Sequence, residues 1–127
     1  MQPQTYKVLL VEDDEDDFLL MKVYLRAVTV CQVLLIWVDT YEKALHYLEQ
    51  YSPDMLLIDY NLNGSRNGLN LVRELKENGS GIPAILVTAQ DKEALGKDWD
   101  SAIPDGYINK NQLTPKVLTD TIYPFLR

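Results

Sequence analysis

The chain has 127 residues, enough for one domain, and 46% of them are hydrophobic while 24% are charged, which is typical of a folded globular protein. Its longest apolar run, residues 33–38, is too short to cross a membrane, and the first seven residues lack the apolar segment of a secretory signal. Twelve basic residues against 19 acidic ones give a net charge of −7, which disfavours direct binding of nucleic acid. We therefore expect a single cytoplasmic domain, residues 1–127, with no membrane segment.

Two kinds of segment alternate along the chain. Short apolar runs predict buried strands, and apolar residues spaced three or four apart predict helices. The pattern predicts five strands, at 6–11, 33–38, 54–58, 83–88 and around 107–108. A helix is predicted after each strand. The first has apolar positions from 18 to 28, the second buries Ala44, Leu45 and Leu48, the third has apolar positions from 69 to 75, and the last two span about 91–99 and 113–126.

Several predicted helices are bounded by residues that favour a helix start or a helix end. Acids at positions 14–17 favour the start of the first helix, and Asp39 and Thr40 can cap the second. Asn78 and Gly79 stop the third, and Pro124 should fray or end the last. Strands that alternate with helices need crossover connections, so we expect an α/β fold: a doubly wound, five-stranded parallel sheet with helices on both faces.

Polar side chains follow four of the five predicted strands. Glu12 and Asp13 follow the first strand, Asp59 follows the third, Thr88 ends the fourth, and Lys110 lies just past the fifth. Ligands of an open parallel sheet bind outside the carboxyl ends of its strands, so these side chains should meet at one edge. Three carboxylates cluster at tolerable cost when a cation neutralises them, and a lysine and a hydroxyl can hold phosphoryl oxygens. The pattern therefore predicts a site for a divalent cation and a phosphoryl group.

Four motifs in this order resemble the receiver domain of two-component response regulators. They are LLVEDD at 9–14, DMLLID at 54–59, ILVTA at 85–89 and DGYINK at 105–110. The resemblance covers nearly the whole chain, and it implies a flavodoxin-like fold of five βα units with the strand order 2-1-3-4-5.

The resemblance also implies a reaction. Asp59 would be the phosphoacceptor, a carboxylate nucleophile that takes a phosphoryl group from a phosphohistidine of a partner histidine kinase or histidine phosphotransfer protein. Asp13, Asp59 and the backbone carbonyl of Asn61 would hold Mg²⁺, and Glu12 would hold a metal-bound water. The chain would then be a signalling module that loses its phosphoryl group by its own hydrolysis, not a turnover enzyme.

A conformational switch is the other implication. Lys110 would pair with a phosphoryl oxygen, and Thr88 would turn toward the phosphoryl group, for which Ala89 leaves room. Tyr107 would then move inward. The resemblance places the altered surface on the fourth helix, the fifth strand and the fifth helix, where a partner or a second copy of the chain would bind.

The chain departs from the family pattern in three places. Asn63 stands where proline is usual, and the loop from Asp59 to Gly68 is one residue longer. Asn111 replaces the proline that usually follows the lysine in cis, and we expect a trans bond here because a non-proline cis bond costs ~3 kcal/mol. Residues 96–104 do not match the usual end of the fourth helix.

Three other functions share parts of this pattern. An aspartate-nucleophile phosphatase places its nucleophile after the first strand in an Asp-x-Asp pair and needs a cap domain. A flavodoxin-like electron carrier needs a Gly/Ser/Thr-rich loop after that strand, where this chain has six consecutive acids that repel a flavin phosphate. A receiver-shaped interaction module without phosphorylation does not require all five polar residues, yet the chain has them all.

The remaining polar and aromatic residues carry structural expectations. Asp16 and Asp17 should be solvated at the start of the first helix, and Trp37 should lie in the core. His46, the only histidine, should lie on the surface, so the phosphoryl donor must be another protein. Cys31, the only cysteine, excludes an internal disulfide and should pack near the second strand.

Overall fold

Strands and helices alternate in the computed structural model, which describes residues 4–28 and 31–126. The strands are β1 Thr5–Val11, β2 Gln32–Val38, β3 Met55–Asp59, β4 Ala84–Thr88 and β5 Gly106–Asn109. The α-helices are α1 Glu15–Arg26, α2 Tyr41–Gln50, α3 Gly68–Glu77, α4 Lys92–Ala102 and α5 Pro115–Ile122. Short 3-10 helices span Lys110–Gln112 and Tyr123–Phe125.

The five strands form one parallel sheet in the order β2-β1-β3-β4-β5. The predicted α/β fold and strand order are therefore confirmed. In this order β1 and β3 are neighbours, and the register that pairs Val11 with Ile58 brings their carboxyl ends level. Thr88 pairs with Asn109 at the same edge of the sheet.

Two apolar layers cover the two faces of the sheet. On one face α1 and α5 pack against alternate strand residues, with Met21, Leu25, Leu118 and Ile122 buried between them. On the other face α2, α3 and α4 pack against the remaining strand residues. The central strands β3 and β4 are buried along their whole length, as their continuous apolar sequences require.

The predicted helix starts are confirmed by their caps. The side chain of Asp14 accepts hydrogen bonds from the backbone amides of Asp16 and Asp17, and Thr40 caps α2 through the amide of Lys43. Helix α3 ends at Glu77 with Asn78 as its C-cap, and the next residue, Gly79, has a φ of 81°, the left-handed conformation that glycine adopts readily.

The last helix is shorter at both ends than the predicted 113–126. It begins at Pro115 because Thr114 caps it, accepting from the amide of Val117 at 3.0 Å. It ends at Ile122, and Pro124 lies in the 3-10 turn that follows. Proline lacks the backbone N–H that would continue the hydrogen bonds of an α-helix.

Helix α4 is interrupted by a kink. Gly96 has φ 49° and ψ −120°, so two helical segments meet there at a kink. The helix continues to Ala102, past the predicted end at Trp99, and Ile103 follows in the left-handed region. The departure of residues 96–104 from the family pattern therefore corresponds to a kinked helix.

The structure also confirms several predictions for single residues. Cys31 is buried and His46 is exposed, as predicted. The bond between Lys110 and Asn111 is trans, again as predicted. Within the described ranges, no helix is long and apolar enough to cross a membrane.

Candidate functional site

The carboxyl edge of the sheet carries four predicted site residues. Asp59 ends β3, Thr88 ends β4, Glu12 follows β1, and Lys110 follows β5. All four are buried or partly buried, with Thr88 fully inaccessible. A cavity of about 300 Å³ opens beside α1, and its lining includes three of them, Glu12, Asp59 and Lys110, together with Ala89.

Lys110 stands at the centre of the charges. Its Nζ donates to Glu12 Oε1 at 2.7 Å, to Asp17 Oδ2 at 2.7 Å and to Asp59 Oδ2 at 3.1 Å. Burial lowers the pKa of this lysine, but hydrogen bonds to Asp17 and Glu12 outweigh that effect and raise the pKa above its ordinary range. Lys110 therefore stays protonated, and its positive charge offsets part of the negative charge of the acids around it.

Glu12 is held in place by its backbone. Its amide donates to the carbonyl of Val38 at 3.1 Å, and its own carbonyl accepts from Trp37 Nε1 at 2.7 Å. Trp37 in turn stacks on Phe18 of α1, with ring centroids 4.1 Å apart. Trp37 is partly buried against the core as predicted, and its indole N–H also holds the backbone of Glu12 in place.

The Glu12 side chain is only 3% exposed, and that burial governs its charge. Burial, followed by the neighbouring Asp59 carboxylate, raises the pKa of Glu12 from 4.5 to about 9, although Lys110 acts in the opposite direction. One oxygen, Oε2, is buried and has no hydrogen-bond partner among the described residues. Glu12 thus holds a proton that a cation could replace.

Asp59 is 7% exposed, and its two oxygens contact different groups. Oδ2 accepts from Lys110, and Oδ1 accepts from the backbone amide of Asn61 at 3.3 Å. The loop returns to the end of β3 at Gly68, where a Cβ would overlap the carbonyl oxygen of Asp59. Only glycine fits this close approach.

Asp17 belongs to the pocket, so the expectation that it is merely solvated is wrong. Its carboxylate, 38% exposed, contacts Lys110 across 93 residues of chain. A signal was present in the sequence: Asp17 precedes Met21 by four residues and Leu25 by eight, and both are buried. Asp17 therefore lies on the inward face of α1. The neighbouring Asp16 is exposed, as predicted.

Three acids form a close carboxylate group in the described part of the chain. Oxygens of Glu12, Asp17 and Asp59 all lie within 4.8 Å of one another. Asp13 is outside this set and half-buried, but burial and the charge of Asp59 raise its pKa, which places it within electrostatic reach. Asn61 borders the pocket through the backbone amide that contacts Asp59.

Thr88 and Tyr107 reach the same residue from two strands. The hydroxyl of Thr88 accepts from the amide of Gln90 at 3.2 Å, and the hydroxyl of Tyr107 donates to the carbonyl of Gln90 at 2.6 Å. The Tyr107 ring meets Trp99 of α4 edge-on, with centroids 5.8 Å apart. Trp99 thus packs beside Tyr107, the predicted switch residue.

The residue after Asp59 also contacts α4. Tyr60 donates through its hydroxyl to Asp98 Oδ2 at 2.8 Å, and Asn67 donates to the same oxygen at 3.3 Å. Both bonds join the loop after β3 to the helical segment beyond the kink at Gly96. The loop after β3 is therefore tied to α4.

Comparison with known proteins agrees with this geometry. The profile of the response regulator receiver domain matches residues 8–123. The transcriptional regulatory protein BaeR of Escherichia coli O6:H1 is 37% identical over 89 residues, which are 70% of this chain and 35% of BaeR. The chain spans about a third of the length of the curated relatives BaeR, PhoP and MalR.

Solved structures show the same fold. The receiver domain of Francisella response regulator 1452 superposes with a TM-score of 0.78 at 19% identity, covering 94% of this chain and 95% of that one. The BeF3-activated DrrB receiver domain gives a TM-score of 0.74 at 23% identity, with 96% and 97% covered. At these identities the likeness concerns the fold alone.

Proposed function

The chain belongs to the response regulator receiver domain family of two-component signalling, and from that premise we propose that Asp59 is the residue that accepts the phosphoryl group. One observation carries the assignment: the Asp59 carboxylate ends a central strand, is 7% exposed, and lies 3.1 Å from the ammonium of Lys110. A nucleophilic carboxylate beside a fixed cation can attack a phosphorus atom whose oxygens the cation holds.

The proposed donor is a phosphohistidine of a partner histidine kinase or histidine phosphotransfer protein. An oxygen of Asp59 attacks phosphorus, the phosphorus–nitrogen bond breaks, and the imidazole leaves with the bonding electron pair and takes up a proton. Lys110 contributes by orienting the phosphoryl group and offsetting its negative charge. His46 is exposed on α2 and is not among the residues at the pocket, in keeping with a donor on another protein.

The acidic pocket fits a divalent cation, and we assign Mg²⁺ to it. Two observations support the fit: Glu12 Oε2 is buried without a partner in the described part of the chain, and three clustered carboxylates face one lysine. Asp13, Asp59 and the backbone carbonyl of Asn61 would hold the ion, with Glu12 beside them. When bound, the ion supplies charge neutralisation to the transferring phosphoryl group.

The proposed output is a change of surface rather than turnover of a substrate. Thr88 and Tyr107 both reach Gln90, so a Thr88 hydroxyl that turned toward a phosphoryl group would alter the anchor of Tyr107. The surface formed by α4, β5 and α5 would then change, and a partner or a second copy of the chain would bind there. Loss of the phosphoryl group would follow from hydrolysis within the same pocket.

The experiment is phosphorylation by acetyl phosphate with Mg²⁺, followed by intact-mass measurement. The wild-type chain should gain the mass of one phosphoryl group, and Asp59→Asn should gain none. Asp16→Asn is the matched control, because it makes the same change at an exposed acid of α1 and should be modified normally. Equal modification of Asp59→Asn and the wild type would refute the assignment, as would an unmodified wild type, which is the outcome for a receiver-shaped interaction module.

A further inference from the structure

The site contains one more charge than the phosphoacceptor chemistry needs. Asp17 contacts Lys110 as closely as Glu12 does, at 2.7 Å, and more closely than Asp59 does, at 3.1 Å. The contact joins the first turn of α1 to the chain just after β5. The proposed function gives Lys110 a phosphoryl oxygen as its partner, and it gives Asp17 no role.

The ammonium group of Lys110 is fully engaged by these contacts. It has three N–H donors, and the structure supplies three carboxylate acceptors. A phosphoryl group on Asp59 would add new acceptor oxygens within reach of the same donors. The contact with Asp59 can pass to one phosphoryl oxygen, because phosphorylation turns that carboxylate into an acyl phosphate. A second phosphoryl oxygen can bind Lys110 only if Glu12 or Asp17 gives up its contact.

Exposure decides which contact is exchanged most easily. The side chains of Glu12 and Asp59 are 3% and 7% exposed, whereas that of Asp17 is 38% exposed. A carboxylate that leaves an ammonium must be hydrated again, which costs least where water already reaches it. Asp17 is therefore the partner that Lys110 can leave at the lowest cost.

The backbone around Asp17 keeps its carboxylate within reach of Lys110. Its amide donates to the capping side chain of Asp14 at 3.3 Å, and Met21, one turn later, is buried in the core. The carboxylate thus competes with any phosphoryl group for the lysine, and its own negative charge opposes the entry of a phosphoryl anion.

On these grounds, and resting on the proposed function of Asp59 and Lys110, we infer that Asp17 is a positioning residue. It holds Lys110 on the α1 side of the pocket while Asp59 is unmodified, and it releases the lysine when a phosphoryl group arrives. In this role Asp17 weakens binding of the phosphoryl group and so sets how strongly a donor must drive phosphorylation.

The test measures the affinity of the phosphoryl mimic beryllofluoride, with Mg²⁺ present, for Asp17→Asn and Asp16→Asn. Both variants remove one negative charge from the first turn of α1, so the comparison cancels long-range charge and helix-dipole effects. Asp17→Asn should bind beryllofluoride about threefold to tenfold more tightly than Asp16→Asn, the range expected for a partly exposed, charge-assisted contact. Asp17→Glu, which can restore the contact, should return the affinity toward that of the wild type.

A second readout follows Lys110 itself. In the wild type, the side-chain ¹⁵N signal of the Lys110 ammonium should shift on addition of beryllofluoride. In Asp17→Asn that signal should already differ before the addition, whereas in Asp16→Asn it should match the wild type. A loss of stability without this change in the lysine signal would indicate a structural role only and would overturn the inference.

The remaining outcomes are also decisive. Equal or weaker beryllofluoride binding by Asp17→Asn than by Asp16→Asn would overturn the inference. Loss of the magnesium response in Asp17→Asn would assign the carboxylate to the metal instead and would also overturn it. If the wild type does not bind beryllofluoride at all, the proposed function of Asp59 is refuted. This outcome differs from those that refute only the role of Asp17, in which the wild type still binds beryllofluoride.

Discussion

The hydroxyl of Tyr107 donates a 2.6 Å hydrogen bond to the carbonyl oxygen of Gln90, the residue two positions beyond the end of β4. The amide of Gln90 in turn donates to the hydroxyl of Thr88 at 3.2 Å. The backbone of Gln90 therefore joins the two side chains to which the family resemblance gives a switching role. Movement of the Thr88 hydroxyl toward Asp59 would remove one of the bonds that hold Gln90, and the position of Tyr107 would respond.

The first prediction concerns this coupling. Beryllofluoride should change amide chemical shifts from Asp59 through Thr88 and Gln90 to Tyr107, with a coupling free energy of about 1–3 kcal/mol. Thr88→Ala removes the hydroxyl and should confine the changes to the acidic pocket. Changes confined to the pocket in the wild type would contradict the switch and leave Asp59 as the phosphoacceptor.

A second prediction concerns the charge of Asp13. Burial and the Asp59 carboxylate raise the pKa of Asp13, so its ionised form is disfavoured in the folded chain. Asp13→Ala should therefore stabilise the metal-free protein by about 0.5–1 kcal/mol, as expected for relief of repulsion at a partly exposed site. The variant should also lose the rise in melting temperature that millimolar Mg²⁺ gives the wild type.

The control for Asp13 is Asp16→Ala, which lies on the same acidic run and is exposed. It should keep the full magnesium response. If Asp13→Ala responds to Mg²⁺ as the wild type does, Asp13 is not a ligand of the ion.

The third prediction is the pH dependence of stability without divalent metal. Because the pKa of Glu12 rises from 4.5 to about 9 on folding, the native state keeps a proton that the unfolded state has released between these values. The free energy of unfolding should thus fall as the pH rises from 4.5 to about 9, and above that range the Glu12 contribution is fully lost.

Glu12→Gln removes this titration and should flatten the curve, so its stability relative to the wild type should increase with pH. Glu15→Gln, an exposed acid of α1, should leave the slope unchanged. Urea denaturation at several pH values measures both slopes. Parallel curves for Glu12→Gln and the wild type would contradict the burial of a protonated Glu12.

A fourth prediction tests how the loop closes on the phosphoacceptor. A Cβ at Gly68 would overlap the backbone carbonyl of Asp59, so Gly68→Ala must displace the start of α3 or the end of β3. The loss of stability should be about 1–3 kcal/mol, as for an overpacked core position. Gly81→Ala is the matched control because nothing lies within 4 Å of a Cβ there, and a similar loss in both variants would argue against the close approach.

Much of this architecture follows from local patterns that a single sequence displays. Apolar runs predicted the five strands, and acids or hydroxyls at caps such as Asp14 and Thr40 predicted helix starts, because both depend on neighbours in the chain. The strand order came from the family resemblance. The end of the last helix was overestimated because apolar spacing continues into the 3-10 turn at Tyr123–Phe125.

The site residues that escaped prediction are those whose partners are distant in sequence. Asp17 meets Lys110 across 93 residues, and Trp37 anchors the carbonyl of Glu12 across 25. Nothing local distinguishes Asp17 from the solvated Asp16 except its place on the apolar face of α1. The close approach of Gly68 to Asp59 is likewise visible only once the loop is folded.

Chemical location of the phosphoryl group tests the central claim most directly. Treatment of the acetyl phosphate-labelled protein with borohydride reduces an aspartyl phosphate to homoserine and releases phosphate, so peptide mass analysis identifies the modified position. We predict homoserine at position 59 in the wild type and in Asp16→Asn, and none in Asp59→Asn. Homoserine at position 13 or 17 instead, or a labelled protein with no reducible aspartate, would contradict the account.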